Sequence, residues 1–170
     1  NIAYTGFEND LWKTEDGGTT FTQWAEFGTD DANKITYIEI SRSNPQVMYV
    51  CQRLSGSGLL WKTIDGGQSW NTVNLPGIAG STRKILIQLD PVNENKLWMA
   101  FVNGANSYKV FKTTDGGFSW QNLTTSTLDN NNVHSLALIP NSNGGIYAFT
   151  NKGVFYRDDA NPWIDFSSGL

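Results

Sequence analysis

One eleven-residue stretch recurs at nearly constant spacing, and that recurrence restricts the fold more than any other feature of the chain. Residues 11–21 read LWKTEDGGTTF, residues 60–70 LWKTIDGGQSW and residues 110–120 VFKTTDGGFSW. The central aspartates Asp16, Asp65 and Asp115 are 49 and 50 positions apart. A fourth, eroded copy, VFYRDDANPW at 154–163, keeps the two apolar residues, an aspartate and the tryptophan but lacks both glycines. The intervening segments repeat too, with Tyr49, Trp98 and Tyr147 following at intervals of 49. Self-similarity at a fixed period is the mark of a fold built from copies of one supersecondary unit.

Each unit reads as four short strands. The first is ITYIEIS, KILIQLD or VHSLALI, followed by a turn rich in Asn, Pro and Gly. The second is VMYVCQ, KLWMAFV or GIYAFTN, and the third LLWKT, KVFKT or GVFYR. The Asp-Gly-Gly turn then leads into SWNTVN, SWQNLT or WIDFS. Helical periodicity is absent. Four antiparallel strands repeating every 40–50 residues or so predict an all-β chain, a β-propeller of four-stranded blades. A two-sheet sandwich gives no reason for so regular a repeat. The repeats cover approximately 1–24 (an incomplete blade), 35–73, 84–123 and 133–167 of a single domain spanning 1–170. That makes about 3.75 blades by strand reading, and closed propellers typically have four to eight. The expectation is a segment of a longer chain and a larger ring, such as a seven- or eight-bladed one.

Composition narrows the function. Charged residues are 16% and aromatics 13%, so the polar surface is built largely from Asn, Ser, Thr and Gly, as in many extracellular all-β proteins. Net charge is −4 with no basic run, which argues against a nucleic-acid or anionic-membrane partner. Cys51 is alone, excludes an intrachain disulfide, and is expected to pack as a small hydrophobe. No stretch reaches the length of a membrane span, and no leader is visible at the opening NIAYTGF.

The box residues suit a self-bonded hairpin. Glycine supplies the φ > 0 that a tight turn requires, and aspartate accepts hydrogen bonds from turn N–H groups. Thr and Ser hydroxyls can do the same, and the closing Trp or Phe covers the turn. The pattern resembles the Asp-box, or BNR repeat. It maps onto Thr14, Asp16, Gly18, Thr20 and Phe21, onto Thr63, Asp65, Gly67, Ser69 and Trp70, and onto Thr113, Asp115, Gly117, Ser119 and Trp120. The resemblance extends to Vps10/sortilin-type propellers, xyloglucan-cleaving glycoside hydrolases and sialidases. In style it is similar to propellers of large secreted bacterial proteins, including type IX-secreted cargo. It implies that the box is a structural hairpin away from the ligand face.

With strands A to D running outward from the axis, the boxes are C–D turns and share a face with the A–B turns. The opposite face carries the D–A and B–C loops, and ligand-contacting residues are expected there. The polar candidates on it are Asp30, Asp31, Arg53, Arg83, Asn103, Asn131, His134 and Lys152. For each one, a solvated loop residue is the bland alternative. No catalytic set, metal cluster or phosphate loop is expected, and no cofactor. Asp30 and Asp31 are adjacent, so they cannot be the opposed carboxylates of a glycosidase. A sialidase would need three converging arginines and a Tyr–Glu pair. Only Arg42, Arg53, Arg83 and Arg157 are present, with Arg42 expected on the box face and Arg157 on an outer strand. The expected role is a non-catalytic recognition or scaffold module of a secreted or cell-surface protein, binding a protein or glycan. The alternative is a segment of a glycoside hydrolase whose catalytic residues lie mostly elsewhere.

Overall fold

A computed structural model of the chain describes residues 1–28, 33–54, 56–77 and 84–168. Alternating and apolar runs become antiparallel strands, and each Asp-Gly-Gly turn joins the third strand of a sheet to the fourth. The first sheet has three strands, β1 (Ala3–Phe7), β2 (Asp10–Thr14) and β3 (Thr22–Glu26). The second contains β4 (Lys34–Ile40), β5 (Met48–Arg53), β6 (Gly58–Thr63) and β7 (Asn71–Thr72). The third contains β8 (Lys84–Asp90), β9 (Asn93–Val102), β10 (Val110–Thr113) and β11 (Gln121–Asn122). The fourth contains β12 (Val133–Leu138), β13 (Ile146–Thr150), β14 (Gly153–Arg157) and β15 (Ile164–Asp165). Strands follow chain order across each sheet, so every sheet is an up-and-down meander and the four form an arc of propeller blades. One 3-10 turn, Ser126–Leu128, lies in the connection between the third and fourth blades. No helix among the described residues is long and apolar enough to cross a membrane.

Blades stack in chain order, β4 against β1, β8 against β4 and β12 against β8. The core is accordingly divided into layers between blades. Leu11 and Phe27 of blade 1 meet Val50, Trp61 and Trp70 of blade 2. Tyr49, Cys51 and Leu60 of blade 2 meet Ile85, Ile87, Met99 and Phe111 of blade 3. Trp98, Ala100, Val110 and Leu123 of blade 3 meet Leu136, Ile146, Phe155 and Trp163 of blade 4. A fully buried side chain of this size contributes about 1.5–3 kcal/mol, so the inter-blade layers carry most of the stability.

This stacking explains the strand sequences. A middle blade is covered on both sides, so Met48–Gln52 and Leu97–Phe101 are buried without alternation. Cys51 is fully enclosed, and burial pushes its thiol pKa well above the ordinary range. It packs as the small hydrophobe its sequence context predicts.

Candidate functional site

The box turns close on themselves. Thr14, Thr63 and Thr113 end their strands buried, and each hydroxyl donates to the box aspartate at 2.8, 2.6 and 2.6 Å. The same oxygens accept the N–H of Gly18, Gly67 and Gly117 at 2.9, 3.0 and 3.0 Å. The carboxylates also take the N–H and hydroxyl of Thr20, Ser69 and Ser119. Each turn is tied to the A–B turn beside it. Gly17 N–H donates to Asn1 O, Gly66 to Gln46 O and Gly116 to Asn95 O, at 3.1, 2.9 and 2.8 Å. Box and A–B turns therefore share one end of the arc, the box face.

These hydrogen bonds hold Asp16, Asp65 and Asp115 well below the usual carboxylate range. The Thr20 N–H is the largest cause at Asp16, and the Ser69 and Ser119 hydroxyls at Asp65 and Asp115. A folded-state pKa below the unfolded value of 3.8 stabilises the fold above that value, and the stabilisation is lost as pH falls through and below it. Burial raises the pKa of one carboxyl, Glu39, which has the opposite sign and weakens the fold as pH rises past its ordinary value of 4.5. The three boxes act together against this single carboxyl. Melting temperature should therefore drop below about pH 4, and Asp65→Asn should flatten the drop. An Asp65→Asn melting curve with unaltered acid dependence would contradict the assignment.

The eroded fourth box works differently. Asp158 caps its turn, accepting the N–H of Ala160 and Asn161 at 2.9 and 2.7 Å and the Tyr156 hydroxyl at 3.1 Å. Asp159 leaves the turn and pairs with Lys112 of blade 3 at 2.6 Å. The chain order of the box hides a second recurring residue, a lysine three positions before the aspartate. Lys62 reaches the carbonyl of Gly116 in the next blade at 3.2 Å, as Lys112 reaches Asp159. Lys13 instead pairs with Glu15 at 2.6 Å and lies over Trp24. The box tryptophans also link blades, Trp120 donating to Asn74 O and Trp163 to Leu123 O, at 2.9 and 2.8 Å. The sequence held the signal for both in the recurrence of Lys and Trp at fixed offsets from the aspartate.

The other sequence candidates were expected on the opposite, loop face. Asp30, Asp31 and Arg83 lie outside the described residues. Arg53 is exposed at the end of β5, where Lys34 of β4 is its register partner. Asn103 is exposed in the β9–β10 connection with φ 60°. His134 is exposed on β12, and Lys152 is exposed in the β13–β14 hairpin of the same blade. Asn131 is 4% exposed and donates to Thr127 O and Asp129 O, so it shapes its loop from inside rather than presenting an amide to solvent. No hydrogen bond or ion pair joins any two of these candidates among the described residues. Arg53, Asn103 and His134 belong to three different blades.

A cleft that sequence reasoning missed opens on the box face near the inner strands. Glu39, Arg42, Gln88 and Asp90 line it together with Ile40, Leu89 and Pro140. Burial raises the Glu39 carboxyl, and the Tyr37 hydroxyl donates to it at 3.0 Å. Burial in turn pushes Tyr37 up to about 12. Only their alternation along β4 hinted at the pair, because the cleft exists only once blades 2, 3 and 4 are side by side.

Several solved structures share this architecture at low sequence identity. YCF48 bound to a D1 peptide superposes with a TM-score of 0.70 at 21% identity, over 99% of this chain and 50% of that one. YCF48 from Cyanidioschyzon merolae gives 0.68 at 18% identity, over 100% and 53%. The GH74 xyloglucanase from Xanthomonas campestris gives 0.75 at 16% identity, over 98% of this chain and 28% of the enzyme. The chain thus spans about half the length of the first and about a quarter of the last. No curated protein matches it. The family profile of Sortilin-Vps10, described as sortilin, neurotensin receptor 3, matches residues 9–136, about three quarters of the chain. By fold, by repeat and by this match, the chain belongs to the Sortilin-Vps10 family of β-propellers.

Proposed function

We propose that this chain is a non-catalytic recognition module of a secreted or cell-surface protein, binding a protein or glycan through its loop face. The observation that carries the reading is the division of labour between the two faces. On the box face, the conspicuous carboxylates are occupied by their own turns. Towards the loop face, Arg53 and His134 are exposed at strand ends, and Asn103 and Lys152 are exposed in the connections that the blades hold. Function on loops held by such a scaffold is the common arrangement. Family membership supports an extracytoplasmic location. One protein of this fold was solved with a peptide bound, which makes peptides a natural first class of probe alongside glycans.

Peptide and glycan arrays probed with the chain should show binding that Arg53→Glu combined with Lys152→Glu removes at unchanged melting temperature. Binding that survives this double change but disappears with a box-face substitution would overturn the loop-face reading. The second reading is a segment of a glycoside hydrolase whose catalytic residues lie mostly outside this segment, and the raised Glu39 carboxyl in the box-face cleft is the one group here that favours it. Under it, xyloglucan or a sialoside should be turned over by the protein, and Glu39→Gln should stop the turnover with the fold intact. Hydrolysis of that kind would replace the recognition reading.

A further inference from the structure

Positive charge is sorted along the blades in a way that the net charge of −4 conceals. Many of the basic side chains are held by the scaffold. Lys13, Lys96 and Lys112 pair with Glu15, Asp90 and Asp159. Lys62, Lys109 and Arg157 donate to the carbonyls of Gly116, Gly104 and Leu123. Arg42 is exposed at the box end, where its charge acts on Glu39. Lys34, Arg53, Lys84 and Lys152 differ from all of these. They are exposed, and among the described residues none has an ion-pair or side-chain hydrogen-bond partner. Each stands at the loop end of its blade. Lys34 and Lys84 open β4 and β8, Arg53 closes β5, and Lys152 lies between β13 and β14.

Lys34 and Lys84 hold the same place in the repeat, 50 positions apart, and His134 follows after another 50. Strand register sets Lys34 opposite Arg53 and Lys84 opposite Val102. His134 is exposed at the bulge between Val133 and Ser135. These residues form a basic arc over blades 2, 3 and 4. Acidic groups are sorted the other way, with Asp16, Asp65, Asp115 and Asp158 in the box turns. A seven-residue inner strand is about 23 Å long, and at a Debye length of about 8 Å those carboxylates are screened from the loop end. At the loop end itself, Asp129 and Asp165 accept the N–H of Ser107 and Ser167 at 2.9 and 2.8 Å. Glu8 and Glu26 of blade 1 bound the arc on one side.

We propose that this arc binds an anionic polysaccharide with a carboxylate on alternate sugar rings, laid across the loop ends of blades 2 to 4. The inference rests on the loop-face reading above and names the ligand class for it. Spacing decides between polyanions. Sheets stacked face to face lie about 10 Å apart, so basic side chains recur at about that interval from blade to blade. Same-side side chains of an extended peptide recur about every 7 Å and fall out of step. Phosphates of duplex DNA follow at about 3.4 Å along each strand and leave most charges unmatched. A carboxylate on every second ring meets one blade per repeat. Asn103 and Tyr108, exposed in the β9–β10 connection, offer an amide to sugar hydroxyls and a ring to a sugar face.

Calorimetric titration of the chain with hyaluronate oligomers, which carry a glucuronate on every second ring, tests this. Hyaluronate should bind and neutral dextran should not. Affinity should fall more than about tenfold between about 0.05 and about 0.5 M salt, as screening shortens the reach of the arc. Lys34→Gln and Lys84→Gln should each weaken binding about two- to fivefold, at unchanged melting temperature because both side chains are exposed. Lys152→Gln takes the place of either variant should it fail to fold. Equal binding of dextran, affinity that ignores salt, or tighter binding of polyglutamate or duplex DNA would overturn the proposal. No affinity for hyaluronate, with array binding still removed by Arg53→Glu and Lys152→Glu, would sink the ligand class and leave the loop-face reading standing. Hyaluronate binding that ignores the lysine variants and that loop-face pair alike would overturn both.

Discussion

Trp98→Ala should cost about 3–5 kcal/mol of unfolding free energy, the range for deleting a large buried aromatic. Trp98 is 2% exposed and fills the layer between blades 3 and 4 beside Ala100, Val110 and Leu136. Neither blade can collapse into the void, because each is held by four strands and by the Lys112–Asp159 pair. The two lysines that lie over the ring, Lys96 and Lys112 at 5.0 and 5.3 Å from its centroid, lose that contact as well. Urea unfolding followed by far-UV circular dichroism would read the loss as a lower midpoint at an unchanged slope. At this chain length each kcal/mol moves melting by roughly 2–4 °C, so the shift is easily resolved. A loss below about 1 kcal/mol would mean that the layers between blades are not where stability resides.

The second large effect separates turn strain from inter-blade contact. Gly117 and Gly18 have nearly the same backbone, with φ of 94° and 96°. Alanine at either position adopts a left-handed conformation costing about 1–2 kcal/mol. At Gly117 its methyl group also strikes Val73 of the preceding blade, which adds about 1–3 kcal/mol of overpacking. Gly117→Ala should therefore lower the melting temperature more than Gly18→Ala, whose added methyl group meets nothing. Equal losses would show that the second glycine of the box is present for its φ alone.

Much of this architecture was legible in the chain. Gly66, Gly67, Gly116 and Gly117 announce positive-φ turns, and a turn of that kind depends on residues next to one another. The apolar second strands announced blades packed on both sides, since period-2 alternation disappears when neither face meets water. The eroded box was harder to read. Sequence shows that an aspartate survives there, but Asp158 caps the turn while Asp159 crosses to Lys112, 47 residues away. Losing the glycines changed the turn, and a long-range ion pair leaves no local trace. Asn131 shows the same limit in the loops. A polar residue in an Asn-rich segment reads as exposed, and only the folded loop reveals that its amide is turned inward.

The sequence by itself determined the all-β class, the repeat, the position of every box turn and the face on which the box carboxylates lie. These follow from local backbone preferences and from side-chain alternation, which act over a few residues. Tertiary structure alone decided which polar groups stand together. It placed Glu39 in a cleft with Arg42 and Asp90. It left Tyr147, Phe149 and Phe166 uncovered while burying Tyr49 and Trp98 at the same place in the repeat. Equivalent residues in a repeat share a register but not a neighbour. Their burial depends on whether another blade stands against them, and that is set by the arrangement of blades in space.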